Sequence, residues 1–119
     1  MNNTHKQRKK CLVTGATGFL GTNLVHELVK QGWDVRASGM HGSEVKFIKD
    51  LPVELVFADI TLTEEVDRIV EGCDVVFHVA GDTSFWKKHF KRQRKINVDG
   101  TTNVADACLK HGVKRLIHT

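Results

Sequence analysis

Apolar residues along the chain switch repeatedly between two rhythms, and the switching predicts an architecture. Residues 11–14, "CLVT", form a short unbroken apolar run that stops at a glycine. Leu20, Leu24, Val25, Leu28 and Val29 then recur on one helical stripe, closed by Lys30 and by Gly32 as a C-terminal cap. Residues 33–38, "WDVRAS", read as a second strand. A Gly/His/Ser turn leads to a short helical patch around Val45 and Ile48, ended by Pro52. Residues 53–58, "VELVFA", are a third strand, and Thr61 with Glu64 has the spacing of a capping box ahead of Val66, Ile69 and Val70. Residues 74–80, "DVVFHVA", are a continuous apolar run, as expected of a strand buried on both faces. A long polar segment precedes a helix from about residue 99 to 111, with Gly112 behind it, and residues 113–118, "VKRLIH", begin a fifth strand.

Strands that alternate with helices predict an α/β fold, a doubly wound parallel sheet with helices on both faces. Right-handed crossovers winding outward from the first strand in both directions give the strand order 3-2-1-4-5. Ligands then belong at the carboxyl ends of strands one and four, where the winding reverses. The stretch "VTGATGFLG", residues 13–21, sits there, after a strand and at the opening of a helix. In that setting Gly15 permits a tight turn, Gly18 lets the backbone approach a pyrophosphate, and Gly21 lets the helix pack close to the strand. Phe19 and Leu20 offer backbone amides at the positive end of the helix, where an anion is favoured. The pattern points to dinucleotide binding. A nucleoside-triphosphate P-loop is disfavoured, because the glycine spacing differs and no Gly-Lys-Ser/Thr follows.

Composition narrows the classes further. A chain of 119 residues makes at most one domain, and its organisation reads as a basic disordered tail, 1–9, followed by a domain over 10–119. The net charge of +4 comes from Lys6, Arg8, Lys9 and Lys10, which leave the rest balanced. A second basic cluster, "KKHFKRQRK" at 87–95, reads as solvated helix surface; no zinc-finger spacing or aromatic-rich RNA-binding strand accompanies it, so nucleic acid is not the expected partner. No apolar run approaches the roughly 18 residues of a membrane span, and no apolar stretch follows the basic start as in a secretory signal, so a cytoplasmic home is expected. Cys11, Cys73 and Cys108 lack metal or redox spacing and read as buried structural thiols. His78, inside an apolar run, reads as a packed, hydrogen-bonded core histidine, and the other histidines share no ligand spacing, so no metal site is expected.

The motifs "VTGATGFLG", "FADI", "VVFHVAGDTSFW", "INVDGTTNV" and "GVKRLIHT" together resemble the extended short-chain dehydrogenase/reductase family, in its NAD(P)-dependent epimerase/dehydratase group. Within it the dihydroflavonol-reductase-like and hydroxysteroid-dehydrogenase-like branch is the most similar. The resemblance implies a Rossmann-type fold, here incomplete at the C-terminus, and an NAD or NADP cofactor. It implies that Gly15, Thr17, Gly18, Phe19, Leu20 and Gly21 hold the pyrophosphate. Asp59 and Ile60 would meet the adenine, Asp59 accepting from the exocyclic amine while Ile60 covers a ring face. Val79, Ala80 and Gly81 would line the nicotinamide-side ribose, and Asn97 would tie the following helix to strand four. The substrate pocket would begin at Asp82, Thr83, Ser84, Phe85 and Trp86, although Trp86 and Phe90 equally suit a helix anchor.

Two departures shape the expected function. Gly39 stands where an acid usually binds the adenosine ribose, and Met40 where related reductases place an arginine for a 2′-phosphate. With no carboxylate to repel that phosphate, and Arg36, His41 and Lys46 as nearby positive charge, the expectation leans to NADP. The family's Tyr-x-x-x-Lys pair is absent, since the chain has no tyrosine, and its Ser or Thr after strand five would lie beyond Thr119. The expected identity is thus the amino-terminal portion of an oxidoreductase or epimerase acting on a carbonyl or alcohol of a small organic substrate, inactive alone and without catalytic residues of its own. A non-catalytic dinucleotide sensor and a nucleic-acid-binding module are the alternatives, and oligomeric state is left open.

Overall fold

The apolar run after residue 10 is a strand because neighbours cover both its faces. In the computed structural model, which describes residues 8–79, 91 and 94–119, the strands are β1 (Lys10–Thr14), β2 (Asp34–Gly39), β3 (Glu54–Phe57), β4 (Val75–His78) and β5 (Arg115–His118). The helices are α1 (Phe19–Lys30), α2 (Thr63–Val70) and α3 (Thr101–Lys110), the last preceded by a π-helical turn, Lys95–Gly100. All strand pairings are parallel and the order is β3-β2-β1-β4-β5, as the alternation predicts. Cys11 faces Val35 of β2 on one side and Val75 of β4 on the other.

Alternate residues of β1 enter two cores. Cys11 and Val13 pack with Val25, Leu28, Val35, Ala37, Ile48 and Val75 on the α1 side. Leu12 packs with Val66, Ile69, Val70, Val76, Val104 and Cys108 under α2 and α3. Each fully buried aliphatic side chain of this kind contributes about 1.5–3 kcal/mol, so the two cores fix the sheet's register. Trp33 closes the α1 side edge-on against Phe77, with ring centroids 6.1 Å apart. All three cysteines are buried and unpaired, and burial pushes the Cys11 thiol up to about 12 and Cys108 to about 11, which makes both inert.

Gly32 ends α1 as its position suggests. Its φ of 89° is left-handed, and the Gly32 and Trp33 amides donate to the Val29 and Leu28 carbonyls, each at 3.0 Å. Two local expectations need correction. Thr61 and Glu64 form no capping box, because α2 starts at Thr63 with Leu62 before it and no side chain caps it. Thr61 turns back to Asp59 instead, its hydroxyl donating to Oδ1 at 2.6 Å. The patch around Val45 and Ile48 is a succession of turns rather than a helix, held by the Ile48 and Lys49 amides on the Val45 carbonyl. Of the basic tail, Arg8 and Lys9 are described, and both are exposed outside any element.

Candidate functional site

The carboxyl ends of β1, β2, β3 and β4 share one edge of the sheet, and the glycine loop crosses it. Gly15 leaves β1 with φ 65°, the left-handed turn its position calls for. The Ala16 amide donates to the Ser38 carbonyl at 3.0 Å, which ties the loop to β2. Gly18 caps α1 in extended conformation, with no side-chain cap and no acidic residue in the first turn. Among the described residues no acceptor meets the Phe19 or Leu20 amide, while Phe19 is 88% exposed. The positive end of α1 therefore faces outward with unsatisfied donors.

The three glycines differ in what excludes a side chain. A Cβ at Gly21 would sit 1.9 Å from the Gly15 carbonyl oxygen, so the helix docks too closely on the loop for any other residue. A Cβ at Gly18 would meet only that oxygen, at an ordinary 3.6 Å. Nothing within the described fold requires glycine at 18. A side chain's first carbon would fit there without moving the loop.

At the end of β2, a Cβ on Gly39 would lie 2.9 Å from the Thr17 methyl and 3.3 Å from the Ser43 side chain, so a side chain there would require one of them to shift. Asp59 follows β3. Its Oδ1 accepts the Thr61 hydroxyl and the Thr61 amide, and these bonds hold the carboxyl below its usual range. Ile60 does not turn outward with it: the side chain is 7% exposed, packed into the core and against Gly100, where a Cβ would come within 2.5 Å of its Cδ1. Asn103 of α3 donates to the Ile60 carbonyl at 2.9 Å. Glu65, which the sequence reading did not single out, joins the loops: its Oε1 accepts the Asp59 amide and contacts His41 Nε2, both at 2.8 Å. The Asp59 amide bond, then His41, hold that carboxyl below its usual range. Arg36 is not the free cation expected near this edge. It spans Glu54 and the Ile69 and Glu71 carbonyls, and only 13% of its side chain is exposed.

At the end of β4, His78 is 1% exposed and its ring lies between two hydroxyls, Thr14 Oγ1 at 2.8 Å from Nδ1 and Thr101 Oγ1 at 3.1 Å from Nε2. A neutral imidazole has one donor and one acceptor to match them. Burial, with the stacked His118 as a second cause, lowers its pKa to about 4, which keeps the ring neutral near pH 7. It is the hydrogen-bonded core histidine that its apolar neighbours suggest. Thr14 Oγ1 also accepts the Val79 amide at 3.0 Å, a side chain continuing the β1–β4 pairing where the strands end. Ala80, Gly81, Asp82, Thr83, Ser84, Phe85, Trp86 and Phe90 lie outside the described residues, and Asn97 lies in the π-helical turn. Among the described residues no group of three His, Cys, Asp or Glu could hold a metal, and no helix is long and apolar enough to cross a membrane.

Residues 11–119 match the NAD dependent epimerase/dehydratase family. Among curated proteins, a putative dihydroflavonol 4-reductase of Synechocystis is 36% identical over 107 residues, covering 90% of this chain and 31% of that protein. A 3beta-hydroxysteroid-dehydrogenase/decarboxylase of Arabidopsis thaliana is 38% identical over 121 residues, covering 92% and 27%. A crystal structure of a short-chain dehydrogenase/reductase superfamily protein from Agrobacterium tumefaciens with bound NAD superposes with a TM-score of 0.80 at 26% identity, covering 92% of this chain and 31% of that one. The chain thus spans about a third of the length of proteins similar to it.

Proposed function

Because the chain belongs to the NAD-dependent epimerase/dehydratase family, we propose that it is the dinucleotide-binding portion of an oxidoreductase or epimerase acting on a carbonyl or alcohol of a small organic substrate. One observation carries the reading: outward-facing, unpartnered amides of Phe19 and Leu20 beside Gly18, whose missing side chain serves no described contact of the fold. Gly15, Thr17, Gly18, Phe19, Leu20 and Gly21 would hold the pyrophosphate, chiefly through backbone. Asp59 would receive the adenine amine on the oxygen that Thr61 leaves open, with Ile60 supporting that loop from the core. Val79, Ala80 and Gly81 would line the nicotinamide-side ribose, Val79 fixed there by Thr14. When bound, the dinucleotide supplies the centre that takes up or delivers hydride. The reacting oxygen also needs a proton donor or acceptor within hydrogen-bond reach. The chain contains no tyrosine for that role, so alone it should turn over no substrate. Of the two dinucleotides, NADP is the one proposed, since Gly39 presents no carboxylate to a 2′-phosphate.

The experiment is calorimetry of Gly18→Val with NAD and NADP. Valine suits the extended backbone at 18 and its Cβ makes only an ordinary contact there, so the variant should melt like the parent yet lose binding of both. Unchanged affinity would remove the pyrophosphate from this loop.

A further inference from the structure

We infer that His78 is a positioning residue for the dinucleotide site: through Thr14 it holds the backbone of Val79 in place at the edge where β1 and β4 part. This role presupposes the dinucleotide reading above and adds to it a buried residue that itself meets no cofactor atom. Among the described residues the buried polar or charged side chains are Thr14, Ser38 and His78. The register sets them side by side, with Thr14 opposite Ser38 of β2 and opposite His78 of β4, in the last row of both pairings. One row earlier, Val13 lies between Ala37 and Phe77. An apolar row would pack under the carboxyl edge as well, without the desolvation that buried polar groups cost. Hydrogen-bonding groups confined to this row therefore answer to something other than core packing.

β1 turns away at Gly15, with φ 65°. Past that point the Val79 amide donates to a side chain, Thr14 Oγ1, at 3.0 Å. The Val79 side chain packs against the α1-side core, so the bond to Thr14 sets its backbone relative to the loop. A threonine side chain can turn among staggered positions, and the oxygen must take the one that faces this amide. His78 Nδ1, 2.8 Å from the same oxygen, holds it there. The ring is braced in turn by Thr101 Oγ1, 3.1 Å from Nε2, at the first residue of α3. A string of bonds thus runs from Val79 to α3, and in a buried setting each bond strengthens the next. Imidazole suits its middle because one ring nitrogen donates while the other accepts. Leucine would fill the space and leave Thr14 without that partner.

The test compares this chain with His78→Leu, His78→Gln, Thr14→Val and the double variant His78→Leu/Thr14→Val. NADP and NAD affinities are measured by calorimetry below each melting midpoint, and hydrogen exchange at the Val79 amide is followed without ligand. His78→Leu should weaken binding of both dinucleotides about tenfold, or about 1.4 kcal/mol, and speed exchange at Val79. Thr14→Val should do the same, and the double variant should bind no more weakly than Thr14→Val alone, since both changes act on one bond. His78→Gln, which can donate and accept, should behave like the parent. If leucine at 78 unfolds the chain, His78→Met takes its place with the same expectations. A His78→Leu chain that melts earlier yet binds both dinucleotides like the parent would make His78 a core support alone and overturn the inference. Unchanged exchange at Val79, losses that add in the double variant, or a His78→Gln chain as weak as His78→Leu would overturn it too. A parent that binds neither dinucleotide overturns the dinucleotide reading and this role together.

Discussion

His78 carries a cost that pH makes visible. In the folded chain its pKa is lowered to about 4 from the ordinary 6.5. As pH falls below about 6.5, the unfolded chain takes up a proton that the folded one refuses until about pH 4, so stability declines across that window. One such group adds a slope of up to about 1.4 kcal/mol per pH unit. His78→Gln can still donate to and accept from Thr14 and Thr101 but cannot titrate, so urea unfolding of the variant should show a shallower loss of stability between those limits. An identical slope would mean that His78 is not buried neutral. Apolar neighbours in "VVFHVA" make the burial of this histidine legible in the sequence. Its partners are not legible, since Thr14 lies 64 residues away and meets it only through the register of β1 on β4. Arg36 misleads for the same reason: beside Gly39 in sequence it looks available, but pairing with β3 sets it against Glu54.

The docking of α1 is readable in the sequence through Gly15, which takes a left-handed turn, and Gly21, which admits the helix against the loop, whereas the fold itself gives no reason for Gly18. Gly21→Ala should cost about 1–3 kcal/mol or more by overpacking against the Gly15 carbonyl, measurable as a lower midpoint in urea, whereas Gly18→Val should leave that midpoint nearly unchanged. Equal destabilisation by the two would show that α1 does not lie so close to the loop. Less of α2 and α3 could be read. The Thr61–Glu64 spacing fits a capping box, yet Asp59 competes for the Thr61 hydroxyl and wins at 2.6 Å, which moves the helix start onward. The π-helical turn before α3 has no periodic signature. Ile60 presses where a side chain on Gly100 would otherwise stand, a contact between segments 40 residues apart that composition does not reveal.

At the scale of the molecule, β5 pairs only with β4 among the described residues, and its Arg115, Ile117 and His118 are exposed. The chain contains no tyrosine to serve the proton transfer that the proposed hydride chemistry needs. The purified chain should therefore consume no NADH or NADPH with a panel of ketones, sugar nucleotides and steroids, and turnover above background would place the proton transfer among these residues after all. The central position of β1 has a consequence for how the chain reaches this state. Cys11 joins Val35 on one side and Val75 on the other, and the shorter loop closes at lower entropic cost, by about 1 kcal/mol. Assembly should start with β1, α1 and β2, a unit that already contains the glycine loop and its tie from Ala16 to Ser38. Native-state hydrogen exchange should then find amides of β1 and β2 among the slowest, with those of β5 exchanging earlier. The carboxyl edge of the sheet is thus built in order: the loop after β1 and its tie to β2 come first, and β4 is added to an edge that already has its shape.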